Sequence, residues 1–289
     1  MTLLQALVIA ILQGATELFP VSSLGHAVLL PALLHWPFNE SDETFLPFLV
    51  MLHLGTSVAL FVFFWRDWAA IFSGLFGRHG SRYRLESLRI LFLLVIATIP
   101  AIIVGGLFEH LLRHLFGSPL PVAGLLVVNG LMLLTVERLR SRLPTKAASI
   151  NEAADRPIAS LSAQDALVIG SFQCLALFPG ISRSGATIAG GLLRGLHHDV
   201  AARFSFLMAE PVILAATAHQ LFKMRHMTVT SEQIHIGLIA AVVSGITALI
   251  CTAVLMRYFR NHDNWALAPF AVYCILMGIG SFAVLHGVH

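Results

Sequence analysis

One apolar run near the start of the chain holds the residue types that do phosphate and proton chemistry. It reads Gln13-Gly-Ala-Thr-Glu17-Leu-Phe-Pro20-Val-Ser22-Ser23-Leu-Gly-His26, and Glu17 is the first charged residue, with no other until Glu40. Ionisable groups at membrane depth are costly, and function is their default explanation. Gln13 and Glu17 are four residues apart and share one face of a helix. Glu17 is a candidate general base or divalent-cation ligand; the alternative is a hydrogen-bonded acid that pins the backbone. Magnesium is commonly held by one or two carboxylates together with substrate phosphates, so the single carboxylate of Glu17 does not exclude a metal, and Gln13 is a further candidate ligand. Pro20 ends the first half-helix, and Ser22 and Ser23 open the next. Free N–H groups and the positive dipole end favour an anion there. Either serine alone reads as an N-cap. Together, beside Glu17 and His26, they read as a nucleophile or a phosphate donor, with the attacking group either Ser23 or water. His26 lies within one helical turn of them and can move a proton near neutral pH; a satisfied core histidine is the alternative.

A second stretch echoes the first: Leu177-Phe-Pro179-Gly-Ile-Ser182-Arg183-Ser184-Gly-Ala-Thr187. An arginine between apolar halves has no reason to face lipid. Its fork of donors fits phosphate bidentately, and Ser182, Ser184 and Thr187 add hydroxyls. Gly180 and Gly185 allow close backbone approach. A purely structural ion pair between Arg183 and Glu17 is the competing account, and both hold before substrate binds.

The elements that must position these groups follow from composition. Only 11% of the 289 residues are charged and 57% are hydrophobic, with a mean hydropathy of +0.83. Ordinary soluble domains are about 25% charged, so the chain reads as an integral membrane protein. A net charge of +3 does not point to nucleic acid, because the basic residues sit in short loops between apolar runs. Cys174, Cys251 and Cys274 are odd in number and suggest no disulfide framework. The apolar N-terminus has no basic n-region and no evident cleavage site, so no removable signal peptide is expected.

Residues 3–34 and 164–193 are broken apolar segments whose halves fall short of the ~20 residues a spanning helix needs. Each reads as a re-entrant hairpin, tolerated where protein or a water-filled cavity covers its backbone. Spans are expected at 45–64, 90–108, 119–136, 204–222, 236–256 and 265–285, with a basic loop between 66 and 89 and a short one at 110–118. The expected fold is an all-α polytopic membrane protein: one membrane domain over 1–289, six transmembrane helices plus two re-entrant hairpins. Residues 1–140 would form the first repeat, 141–160 a cytoplasmic linker and 161–289 the second repeat. Three spans is an odd number, so the second repeat would be inverted, as in transporters. Of the 18 Lys and Arg residues, 14 fall in loops on one side (66–89, 138–163, 194–203, 257–264). Arg113, Lys223 and Arg225 fall on the other, and Arg183 lies inside. This asymmetry makes the first side cytoplasmic. The acidic 39–43 loop and both termini then face outward.

At these residues the chain resembles the undecaprenyl-diphosphate phosphatase family, the bacterial bacitracin-resistance proteins. The family motif [Glu/Gln]-Gly-x-Thr-Glu-x-x-Pro-x-Ser-Ser-x-Gly-His is matched by Gln13 to His26, and Pro-Gly-x-Ser-Arg-Ser-x-x-Thr by Pro179 to Thr187. Leu54-Gly55-Thr56 leading to Phe64-Trp65-Arg66, Thr98-Ile-Pro100, Arg203-Phe-Ser-Phe206 and Pro269-Phe-Ala-Val-Tyr273 match as well. The resemblance covers essentially the whole chain. It departs at Gln13, where many members carry Glu. The resemblance implies hydrolysis of undecaprenyl diphosphate to the monophosphate and inorganic phosphate, recycling the carrier lipid for the cell wall. It also implies a Mg²⁺ or Ca²⁺ requirement, a bacterial inner-membrane location and a site open to the periplasm. The expected partners are the polyprenyl diphosphate and membrane lipids; nucleic acid is not among them, and a homodimer is left open. The site expected is Glu17, Ser23, His26 and Arg183 for catalysis, with Ser22, Ser182, Arg183, Ser184 and Thr187 around the phosphates.

Two other classes compete. Inverted repeats with broken helices also suit a polyprenyl-phosphate transporter or flippase, although transport does not need the Ser-Ser-x-Gly-His group beside a carboxylate. The acid-phosphatase superfamily is weaker, because no histidine follows Arg183 until His197. Glu210 adds a last candidate, as an acid inside a regular span just before Pro211, where members of the resembled family usually carry an uncharged residue. It reads either as a protonated acid serving local backbone groups or as a metal-ligating carboxylate that compensates for Gln13.

Overall fold

Helices account for every regular element that the computed structural model describes, over residues 2–36, 45–76, 81–116, 118–142, 158, 161–224 and 230–287. In chain order they are α1 (Leu3–Thr16), α2 (Ser23–Leu33), α3 (Phe45–Phe63), α4 (Trp65–Leu75), α5 (Ser81–Phe116) and α6 (Pro119–Arg142). The second half gives α7 (Ala163–Gln173) with a 3-10 turn at Cys174–Leu177, then α8 (Arg183–Leu193), α9 (His198–Met224), α10 (Ser231–Asn261) and α11 (Ala268–Gly287). Helices α5, α6, α9, α10 and α11 are long and apolar enough to cross a membrane. A sixth span results if α3 and α4, bent by 68° at their junction, count as one. The outward faces are apolar, with Ile102 65% and Leu107 74% exposed on α5. So much exposed hydrocarbon suits lipid rather than water. The chain is an all-α, multi-pass membrane protein.

Each half begins with two short helices joined by a break, as the proline and glycine positions require. Thr2 caps α1 in a box with Gln5, and Ser162 caps α7 in a box with Asp165. In α1 the buried residues Ala6, Ile9, Ala10, Gln13 and Gly14 recur at helical spacing, so the stripe that packs inward includes Gln13. Helix α1 packs against α10, α7 against α5, and α6 against α11. Two glycines make the first two contacts close. A Cβ on Gly14 would lie 2.4 Å from the Ser244 carbonyl oxygen, and one on Gly170 would lie 2.0 Å from that of Ala97. Helix α8 is buried from Ser184 to Leu192 and occupies the centre of the molecule.

The structure differs from the sequence reading where helices run into expected loops, as α9 does from His198 and α10 to Asn261. Part of the expected 66–89 loop is the helix α4, whose Trp68, Ile71 and Gly74 are buried; α5 begins within the same stretch. Helix α5 also runs beyond 108 to Phe116, through the expected 110–118 loop. Helix α6 extends to Arg142, two residues into the expected linker. The 39–43 loop, most of the 141–160 linker and Arg225 lie outside the described residues.

Where α6, α9 and the α10–α11 connection meet, a polar clamp closes the bundle. His198 is fully buried; its Nε2 lies 2.8 Å from Glu137 Oε1 and its Nδ1 3.0 Å from Asp263 Oδ1. Arg140 donates to both Asp263 carboxylate oxygens at 2.8 and 2.7 Å. Burial pushes the Asp263 carboxyl up, but hydrogen bonds from His198 and Arg140 outweigh it and hold it below the usual carboxylate range.

Candidate active site

The first tip is built where α1 runs out. The Glu17 N–H closes the last turn on the Gln13 carbonyl at 2.9 Å, making Glu17 the C-cap. Pro20 prevents continuation, and Val21 N–H folds back to the Phe19 carbonyl at 2.7 Å. Ser22 adopts φ 69° and caps α2, its hydroxyl accepting from Gly25 N–H at 3.2 Å. Ser22 is therefore used locally, as a cap. Ser23, the first helical residue, is half-buried and turned toward Glu17.

The second tip repeats the cap. Ser182 accepts from Gly185 N–H at 3.1 Å and places Arg183 first in α8. The Ser182 and Ser184 hydroxyls lie 3.2 and 3.0 Å from the Phe19 carbonyl of the first tip. Asn129, buried in α6, bridges the two: its amide N–H donates to the Pro20 carbonyl and its oxygen accepts from Ser182 N–H, each at 3.0 Å. The two hairpins thus meet tip to tip. Thr187 points elsewhere, bonding the Arg183 and Ser184 carbonyls and standing 2.6 Å from the Ser205 hydroxyl of α9. Ser182, Ser184 and Thr187 hold the loop that presents Arg183; their hydroxyls are spent on protein partners.

Glu17 is the point of convergence. Its Oε1 accepts from Arg183 Nη2 at 3.0 Å, and its Oε2 accepts from Ser23 Oγ at 2.6 Å and Gln13 Nε2 at 3.0 Å. His53 of α3 brings Nε2 to 3.8 Å from the same Oε2, and its side chain is 34% exposed against 7% for Glu17. His53 therefore marks the open side of the site. Arg183 is 16% exposed, and its second nitrogen, Nη1, is buried with no hydrogen-bond partner among the described residues. A buried unpaired guanidinium nitrogen is costly and is suited to receive an anion.

His26 is oriented away from this group. Its Nδ1 donates to the Ser22 carbonyl at 2.7 Å, and its Nε2 is 2.8 Å from the Tyr273 hydroxyl of α11. Both ring nitrogens are thus committed, neither to Ser23 nor to Glu17. Glu210 lies beside the site: Oε1 accepts from Ser57 of α3 at 2.9 Å, while Oε2 is buried without a partner among the described residues. Glu17, Ser23, Gln13 and Arg183 are therefore brought into one hydrogen-bonded cluster. His26, Thr187 and the capping Ser22 are set around it.

Sequence reasoning passed over Asn129 and Ser57. A single asparagine in the apolar run 119–136 was a readable signal, as was the spacing of His53 and Ser57, one helical turn apart. Three or more His, Cys, Asp or Glu side chains grouped to hold a metal are not found among the described residues. The donor chemistry of Glu17, with the Gln13 amide, fits Mg²⁺ only in company with phosphate oxygens and water, which is that ion's common habit.

The fold and site define a multi-pass helical membrane protein with opposed half-helix tips and a buried carboxylate–serine–arginine cluster. The sequence profile described as bacitracin resistance protein BacA matches residues 6–280, and the chain belongs to that family. An undecaprenyl-diphosphatase of Gluconacetobacter diazotrophicus is 60% identical over 285 residues, covering 99% of this chain and 98% of the relative. One from Gluconobacter oxydans is 58% identical over 285 residues and 99% of both chains. A more distant one, from Mycolicibacterium paratuberculosis, is 41% identical over 301 residues, covering 97% and 96%.

Proposed function

We propose that this chain hydrolyses undecaprenyl diphosphate to undecaprenyl phosphate and inorganic phosphate, returning the carrier lipid to cell-wall synthesis and conferring bacitracin resistance. One observation carries the site assignment: Glu17 holds the Ser23 hydroxyl on one oxygen and Arg183 on the other. A hydroxyl 2.6 Å from a carboxylate is a nucleophile paired with its base. An arginine with a free prong beside it is the matching anion holder.

In this reading Arg183 Nη1 and the N-terminal turns of α2 and α8 receive the diphosphate. Glu17 takes the proton as Ser23 Oγ attacks the terminal phosphorus. Water then releases inorganic phosphate from the serine. Asn129 fixes the spacing of the two tips, and His26 holds the first turn of α2 against α11 through Tyr273. Glu17 and Gln13 would hold Mg²⁺ or Ca²⁺, which supplies charge neutralisation on the phosphate oxygens when bound. Arg183 already neutralises Glu17, so the entering phosphate should draw Arg183 away from the carboxylate.

The half-exposed His53 supports a site that opens sideways, with the isoprenoid tail left in the bilayer. The order of elements in the two halves and the matched packing of α1 on α10 and α7 on α5 support inverted repeats. The distribution of basic residues supports an inner-membrane orientation with the site facing the periplasm. Phosphate release by purified protein from a polyprenyl diphosphate, with and without chelator, tests the function. Release should stop with chelator and return with Mg²⁺ or Ca²⁺. No release, with transfer of a labelled polyprenyl phosphate across vesicles instead, would favour the transporter reading.

A further inference from the structure

Glu210 and Arg183 carry the two unpaired buried polar atoms nearest the candidate site. Glu210 is 4% exposed, and Oε2 has no hydrogen-bond partner among the described residues although Oε1 accepts from Ser57. Ser57, which donates to Glu210, stands one turn along α3 from His53, whose Nε2 lies 3.8 Å from Glu17 Oε2. Nη1 and Oε2 form no bond with each other. An ionised Oε2 would be a buried charge with no hydrogen-bond donor, which is costly, and a proton on it removes that cost. A protonated Oε2 is a second donor, and two donors have no reason to bond.

Charge leads to the same assignment. With Glu17 and Glu210 both ionised around Arg183, the cluster would be net negative where a diphosphate must enter. With one proton on Glu210 it is neutral. We infer that Glu210 is a proton-carrying acid of the site: with Arg183 Nη1 it presents two donors to the substrate phosphates and protonates the departing monophosphate. The inference rests on the phosphatase reading. As the new bond to the terminal phosphorus forms, the bond to the bridging oxygen breaks and that oxygen takes the Glu210 proton. The nucleophile's proton goes to Glu17. When water displaces the serine, Glu17 returns a proton to Ser23, and one proton of the water replaces the one Glu210 gave. Glu210 is thus an acid and not a third metal ligand.

The groups facing Glu210 are few. Helix α8 brings Arg183, which is bonded to Glu17, and α3 brings Ser57 with His53 one turn away. Helices α5 and α10 also pack on α9, but their stretches 90–108 and 236–256 carry no charged residue.

The test uses full-length protein in detergent, comparing wild type with Glu210→Gln, which keeps an acceptor for Ser57. Turnover should fall about 10²-fold, and the loss of wild-type activity at high pH, where a general acid deprotonates, should disappear from the pH profile. Half-saturation by Mg²⁺ should not move. Infrared spectra of the resting proteins should show a protonated-carboxyl band in wild type that is missing in Glu210→Gln. Ser57→Ala, which leaves the carboxyl in place, should shift the high-pH limb. A moved Mg²⁺ half-saturation with the pH limb intact would make Glu210 a ligand and overturn the assignment. So would unchanged kinetics in both variants, or no carboxyl band lost. A wild type inert toward polyprenyl diphosphate would sink the phosphatase reading instead, while the infrared band still decides whether Glu210 holds a proton.

Discussion

The two hairpins share a plan and divide the labour. In both, a serine caps the inner half-helix by accepting from a glycine N–H three residues on, Ser22 from Gly25 and Ser182 from Gly185. The next residue then points at Glu17: Ser23 from within the first hairpin and Arg183 across from the second. The hydroxyls differ. Ser22 serves its own helix, whereas Ser182 and Ser184 also reach across to the Phe19 carbonyl. In the proposed mechanism the first tip supplies the reacting groups, and the second supplies the cation together with the bonds that seat one tip on the other. A repeated scaffold can hold two roles in register because its caps fix the direction of the first helical residue.

The sharpest way to break that division is Glu17→Gln, which leaves Ser23 without its base. Phosphate release should drop by about 10³-fold or more, with the unfolding midpoint in detergent little changed; normal turnover would move the reaction off the first tip. Arg183→Lys keeps the charge but loses the fork. It should cost about 10²-fold in kcat, and near-wild-type kinetics would make the arginine structural. Asn129→Ala should act on stability, because it leaves the Pro20 carbonyl and Ser182 N–H buried and unpaired. A loss of about 2–4 kcal/mol is expected, read by denaturant unfolding, and a loss confined to activity would deny the bridge. Last come the caps. Ser22→Ala should cost about 1 kcal/mol, and Ser182→Ala about 1 kcal/mol more for its bond across the tips. Equal costs would mean the seating function lies with Ser184 alone.

Much of this was legible in the residues because buried charge in an apolar chain is conspicuous. Glu17 and Arg183 stand out against the hydrocarbon around them, and Pro20 and Pro179 mark the breaks. What could not be read was direction. Thr187 looks like a phosphate donor in the motif, yet its position on α8 turns it to Ser205. His26 shares a turn with the serines, yet its ring reaches back to the Ser22 carbonyl and out to Tyr273. Asn129 and Ser57 act across helices distant in sequence, and no local pattern announces such a pairing. Helix α4 was missed for a different reason. The stretch Trp65-Arg-Asp-Trp68 carries charge at a span's end and reads as a loop, but its buried Trp68 and Ile71 make it an amphipathic helix at 68° to α3.

The packing of α1 on α10 has a consequence for how the chain is made. Helix α1 leaves the ribosome well before its partner, which is completed only after residue 261. During synthesis the Gln13–Glu17 face has no permanent cover, because a half-span with a carboxylate at its end cannot rest in lipid unaided. The first hairpin must wait, at the bilayer surface or against the insertion machinery, until the second half arrives. Chains stopped before α10 should be quickly degraded even though every residue of the first motif is present.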